Sequence, residues 1–128
     1  MTGNSNKPLA ESVAKALGVE LLAEGCWSFA DGEVYARFKA KDVIGKDCYI
    51  IQSTCRPVND SFMELIAMVS ACKRAGCRSV TAIVPYYGYA RCDRRFTGDA
   101  QPISAADTTQ ILEFMGVNRV VAVDLHVS

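Results

Sequence analysis

Hydrophobic residues recur along this chain in two periods. Over residues 8–17 they fall at 9, 13, 14 and 17, the spacing of one helix face, with Pro8 suited to a first turn and Gly18 to a stop. Residues 19–23 read as a short strand. Over residues 33–38, Val34, Ala36 and Phe38 alternate with Glu33, Tyr35 and Arg37, the pattern of a half-exposed strand between turn signals at Gly32 and Gly45-Lys46. DCYIIQS (47–53) reads as a buried strand. The helical period then returns: Ser61 and Glu64 form a capping box, Lys73 and Arg74 occupy a last turn, and Gly76 closes it. The middle of that helix, FMELIAMVSAC, is apolar on most faces and calls for cover on both sides. SVTAIV (79–84) is another buried strand, Ser104 and Asp107 cap a helix ending at Gly116, and RVVAVD (119–124) is the last strand.

Strand, helix, strand, helix, strand with buried apolar strands predicts an α/β fold: a three-layer parallel sheet with helices on both faces, in one domain over residues 1–128. One connection breaks the rhythm. Roughly twenty residues separate the strand at 79–84 from the helix at 104, where such loops usually take about two to six. Overlong loops at the ligand edge of a parallel sheet are usually functional.

Composition narrows the chemistry. Of 128 residues, 50% are hydrophobic and 22% charged, enough for a real core, and 14 basic residues balance 14 acidic ones. A neutral chain gives no general reason to expect nucleic acid or an anionic membrane surface, so any anion site must come from local clustering. The start has no apolar signal core and no run is long enough to span a membrane. The cysteines at 26, 48, 55, 72, 77 and 92 form no C-x-x-C pair and read as reduced thiols, mostly core filler, of a cytoplasmic protein.

Ligands of open α/β sheets bind beyond the carboxyl ends of the strands. Two segments leave that edge: PYYGYARCDRR (85–95), followed by FTGDAQ, and DLH (124–126). Arg91, Arg94 and Arg95 offer planar donor forks suited to phosphate oxygens, and Asp124 and His126 offer a carboxylate and an imidazole suited to a divalent ion. Arginines plus a metal is what a polyphosphate needs. Against this stand a solvated loop whose arginines pair with Asp93 and Asp99, a structural His126, and tyrosines that simply pack the loop onto the sheet. No G-x-x-x-x-G-K-[ST] loop, G-x-G-x-x-G turn or protein-kinase motif set is present, so a nucleotide would be bound in a less common way.

The chain resembles the N-terminal half of the ribose-phosphate pyrophosphokinase family through TGNSNKPLAESVAKALG, FADGEVYARF, DCYIIQSTCRPVNDSFMELIAMVSACKRAG, VTAIVPYYGYARCDRR, PISA and VVAVDLH, in that order. The resemblance implies a phosphoribosyltransferase-like N-terminal domain. It implies transfer of the β,γ-pyrophosphoryl group of Mg-ATP to ribose 5-phosphate, giving phosphoribosyl pyrophosphate and AMP for nucleotide biosynthesis. It implies Mg²⁺ as cofactor, with Asp124 and His126 at the Mg-ATP. It implies that Arg91, Cys92, Asp93, Arg94, Arg95 and Phe96 line the ATP site. Phe29, Asp31, Gly32 and Glu33 would reach the adenine from a neighbouring subunit of a homo-oligomer, dimers grouped into hexamers.

This sequence departs from the family's usual forms at Cys92, which bears on the site, and at Ala30, where little effect is expected. Cys92 stands where the family commonly has glutamine, which weakens a hydrogen-bonding position; Ala30 replaces the serine of F-S-D-G-E. The resemblance also puts the family's flexible catalytic loop and its ribose 5-phosphate loop beyond Ser128. The expectation is therefore that residues 1–128 alone, with no catalytic residue among them, do not complete the reaction. A non-catalytic regulatory homologue acting as an assembly subunit, and a plain phosphoribosyltransferase of related fold, are the alternatives.

Overall fold

The computed structural model describes residues 1–22 and 25–126. Helix α1 (Lys7–Leu17) begins where the Asn6 side chain accepts from the Leu9 N–H at 3.2 Å. It ends at Gly18, whose φ of 65° supplies the left-handed stop the sequence called for. Residues 19–22 carry no strand, and residue 23 of that expected strand lies outside the described residues. Instead β1 (Cys26–Ser28) pairs antiparallel with β2 (Val34–Ala36), a hairpin of which only the second strand is legible in the alternation. A short helix, α2 (Ala40–Val43), follows.

The main sheet is parallel, in the order β3 (Asp47–Ile51), β4 (Ser79–Tyr86), β5 (Arg119–Asp124). Thr2 extends it by one parallel bridge to Ile51. Helix α3 (Val58–Arg74) connects β3 to β4, and α4 (Ser104–Phe114) connects β4 to β5. The strand period of two sorts the faces. Cys48, Ile50, Val80, Ala82 and Val84 point at α3 and α4, where Leu65, Met68, Val69, Cys72 and Leu112 complete the core. Each fully buried large side chain of this set contributes about 1.5–3 kcal/mol. Tyr49, Ile51 and Ile83 point the other way and share a cleft with Val13, Ala14 and Leu17 of α1. Helices thus lie on both faces, as expected. Helix α3 is covered twice, by the sheet on one side and by β2 on the other, which explains its nearly all-round apolar sequence.

Two helix starts differ from expectation. Helix α3 begins at Val58, after the cis Arg56–Pro57 peptide, and no side chain caps it. Ser61 and Glu64 are buried one turn inside the helix, where Glu64 serves a tertiary network rather than a cap. Helix α4 begins at Ser104 behind Ile103, again with no side-chain cap. The Ser104 carbonyl instead accepts from Thr108 Oγ1 at 2.7 Å, and Asp107 faces solvent. No described helix is long and apolar enough to cross a membrane.

Candidate functional site

The carboxyl ends of the three parallel strands meet through backbone hydrogen bonds. The Thr54 N–H donates to the Tyr86 carbonyl at 3.0 Å, and the Tyr87 N–H donates to the Asp124 carbonyl at 3.1 Å. The chain then turns sharply over the end of β3. Gly88 is required there by space: a Cβ would sit 2.4 Å from the Thr54 carbonyl oxygen and 2.7 Å from Val58 Cγ2. Its N–H is bound by Thr54 Oγ1 at 2.7 Å, and Tyr89 follows in a left-handed conformation, φ 62°, with its hydroxyl donating to Asn59. Of the three tyrosines Tyr87 is the one buried against the domain, with its hydroxyl 2.9 Å from Thr109 Oγ1, whereas Tyr86 is half-buried and Tyr89 exposed. Residues 91–100 then run exposed, rejoining the domain where the Ala105 N–H donates to the Cys92 carbonyl at 3.2 Å.

This turn walls a cleft of about 410 Å³ at the ligand edge, with Arg91 and Cys92 on one side and Thr54, Cys55 and Arg56 on the other. The 54–56 wall was missed in the sequence. Its signal was available, because STCRP leaves the carboxyl end of a buried strand just as YYGYAR does. Arg91 and Arg56 enter no ion pair among the described residues, so both forks are available to an anion.

Arg94 is different. It grips its neighbour Asp93 with two bonds, Nε to Oδ1 at 2.9 Å and Nη2 to Oδ2 at 2.8 Å. The paired-arginine reading therefore holds for this residue, though not through Asp99, which takes a bond from Gln101. The Arg94 fork holds the Asp93 carboxyl below its ordinary value. Asp93 borders a second cleft of about 310 Å³ with Ala122 and Leu125. Arg95, Phe96, Asp124 and His126 are exposed. Arg91 and His126 thus follow the carboxyl ends of adjacent strands, at the same end of the sheet, but only Arg91 lines the first cleft and His126 lines neither.

Among the described residues no group of three or more histidine, cysteine or acidic side chains converges on a metal position. Asp124 and His126 offer two donors at an open strand end. That suits Mg²⁺, which keeps several waters and takes one or two carboxylates plus substrate phosphates, and would not suit a closed protein cage.

The Phe29–Glu33 segment caps the β1–β2 hairpin, away from both clefts. The Glu33 N–H donates to Asp31 Oδ1 at 3.1 Å, the Phe29 N–H donates to the Glu33 carbonyl at 2.8 Å, and Gly32 takes φ 92° at the turn. Asp31 and Glu33 are accessible, and Trp27, Phe29 and Tyr35 form an exposed aromatic group with ring centroids 4.7 and 5.8 Å apart. Cys92 is exposed, and all six cysteines are free thiols.

A parallel α/β domain with a cleft beyond its strand ends has the form in which open α/β sheets carry their ligand sites. The chain belongs to the ribose-phosphate pyrophosphokinase family: a model described as the N-terminal domain of ribose phosphate pyrophosphokinase matches residues 1–116. The ribose-phosphate pyrophosphokinase of Prochlorococcus marinus subsp. pastoris (strain CCMP1986 / NIES-2087 / MED4) is 49% identical over 126 residues, 98% of this chain and 38% of that protein. The one from Burkholderia pseudomallei (strain K96243) is 46% identical over 125 residues, 98% of this chain and 39% of that protein. The crystal structure of phosphoribosylpyrophosphate synthetase from Mycobacterium smegmatis superposes with a TM-score of 0.90 at 38% identity, covering 99% of this chain and 42% of that one. The chain therefore spans well under half the length of the relatives it matches.

Proposed function

We propose that this chain supplies the ATP-binding half of a ribose-phosphate diphosphokinase. In that reaction the 1-hydroxyl oxygen of ribose 5-phosphate attacks the β-phosphorus of ATP. The bond from the β-phosphorus to the bridging oxygen of the α-phosphate breaks, AMP leaves with that oxygen, and the hydroxyl proton is lost to solvent or base. Little covalent chemistry is asked of the protein, which positions the two reactants and absorbs charge. Arg91 is the residue placed to meet the triphosphate, with Arg56 across the cleft as a second cation. Cys92 lies on the same wall, Arg95 and Phe96 follow it on the exposed loop, and the Asp93–Arg94 pair stiffens that loop. Asp124 and His126 would hold Mg²⁺ on the phosphates, where the ion supplies charge neutralisation.

Phe29, Asp31, Gly32 and Glu33 do not line this cleft, so we assign them to the adenine of a neighbouring copy in a homo-oligomer, built as dimers that group into a hexamer. The exposed aromatic group beside them is surface that such a contact would use. Free thiols suit a reducing compartment, and we place the enzyme in the cytoplasm.

The observation that carries this reading is Arg91, in no ion pair among the described residues and lining a cleft at the carboxyl edge of a family domain. Arg91→Ala in a full-length enzyme bearing this domain should lower kcat/KM for ATP by about a hundredfold, the scale of a lost charge-assisted contact at a transferring phosphate, with thermal stability unchanged. Parallel loss of activity and stability would assign Arg91 to the fold instead.

A further inference from the structure

The hairpin is tied to the domain by a relay of hydrogen bonds that starts at Glu64 on α3, a carboxylate only 6% exposed. Its Oε2 accepts from the Asn4 backbone N–H at 2.8 Å and from Gln52 Nε2 at 2.7 Å, and its Oε1 accepts from Asn4 Nδ2. That same Asn4 amide donates a second bond, 3.1 Å long, to the carbonyl of Cys26, the first residue of β1. Gln52 is itself fixed, accepting from Ser5 Oγ at 2.9 Å and donating to the Ser61 carbonyl at 3.1 Å. Gly3 leaves the turn no second seat: a Cβ there would lie 2.4 Å from Gln52 Oε1 and 2.7 Å from Glu64 Oε2.

Among the described residues three donors and no acceptor bond the Glu64 carboxylate, a set that a carboxylate satisfies and an amide does not, because an amide must turn an N–H against one of them. Beside this relay the hairpin rests on α3 through apolar contacts, which hold it down without fixing its direction, and through the Cys26 thiol, a weak donor 3.8 Å from the Glu64 backbone carbonyl. We infer that Glu64, acting through Asn4, is the positioning residue of the β1–β2 hairpin. It holds the Asn4 amide at the angle at which its remaining proton meets the Cys26 carbonyl, and so sets where Phe29, Asp31 and Glu33 stand. The functional consequence rests on the adenine role proposed above for those three residues.

Trp27, the only tryptophan in the sequence, sits on β1 and reports the hairpin directly. Glu64→Gln should lower the urea midpoint, red-shift Trp27 emission and raise its quenching by acrylamide. Adding Asn4→Asp remakes the tie to α3 with its direction reversed, the new amide donating to the new carboxylate. The Cys26 carbonyl then meets an acceptor, so its own tie stays broken. The double variant should therefore regain stability but not the Trp27 signal. Asn4→Ala, which leaves the Glu64 bonds to the Asn4 backbone and to Gln52 in place, should show the same Trp27 change. In a full-length enzyme bearing this domain, the double variant should raise KM for ATP about tenfold with kcat within about twofold, the size expected for a displaced contact. A Trp27 signal that recovers with stability, or stays native in Asn4→Ala, overturns the positioning role. A displaced Trp27 with native KM supports that role and overturns the adenine assignment instead.

Discussion

Single residues separate what this domain uses for chemistry from what it uses for structure. The cysteines show this most clearly. Cys72 is fully buried, with its Sγ 3.3 Å from Met1 Sδ, and Cys26 is half-buried with its Sγ 3.8 Å from the Glu64 carbonyl. Burial pushes both thiols up from 9.0 to about 12, with the neighbouring Cys48 and Glu64 adding to the effect. They are core atoms rather than nucleophiles. The sign of the pH dependence follows. Unfolded thiols ionise near 9 and folded ones near 12, so the unfolded state sheds protons first. This contribution to stability is whole below pH 9 and is lost as the pH rises from there towards 12. Urea midpoints measured across that window should fall more steeply for the native chain than for Cys72→Ala, which starts lower because of its cavity but loses one titrating group. Equal slopes would show that Cys72 ionises as freely in the fold as outside it. Cys92 belongs to the other class: it is exposed on the cleft wall beside Arg91, where its chemistry can reach a ligand.

Elements differ in how much the core asks of them. Strand β4 is central and its Val80, Ala82 and Val84 are fully buried, whereas every residue of β5 is exposed, Val123 at 76%. Val84→Ala should cost about 2 kcal/mol in urea unfolding and Val123→Ala less than about 0.5 kcal/mol. Comparable losses would mean that Val123 is covered in solution. The same asymmetry explains what the sequence could tell. The central strands and α3 were legible because burial imposes a period, and Gly18 and Gly76 marked helix ends because each takes a positive φ. The strand β1 was not legible: three residues are too short to show alternation, and its pairing with β2 depends on a turn at Ala30–Gly32 rather than on a hydrophobic pattern. The capping box failed for a different reason. Ser61 and Glu64 have the right spacing, but a buried carboxylate met by Asn4 and Gln52 is held by tertiary bonds that no local pattern carries. At the site, the arginine loop announced itself by its length and charge. Which arginine was free and which was paired depended on Asp93 lying in reach of Arg94, and the 54–56 wall depended on strand order.

At the scale of the whole molecule the question is what residues 1–128 accomplish by themselves. Pyrophosphoryl transfer needs the ribose hydroxyl and the β-phosphorus held in near-attack geometry, and orientation of that kind is worth about 7–11 kcal/mol of barrier. On the reading proposed above, Arg91, Arg56, Asp124 and His126 all address the nucleotide. The cleft that Arg91 lines is open to solvent, and water weakens every charge interaction that would stabilise the transferring group. The curated relatives carry this domain as about 38% of their length. The remainder is where a ribose 5-phosphate cradle and a loop to close over the transition state belong on the reading proposed here. ATP binding to residues 1–128 should therefore be weak, and AMP release that depends on ribose 5-phosphate should be undetectable. Activity should appear when the chain is joined to the C-terminal remainder of a relative such as the Burkholderia protein. A coupled assay for AMP on the purified chain, run with and without ribose 5-phosphate, checks this. Ribose 5-phosphate-dependent AMP release from residues 1–128 free of host enzyme would mean that the acceptor site lies within this domain, and the division of labour argued above would have to be abandoned.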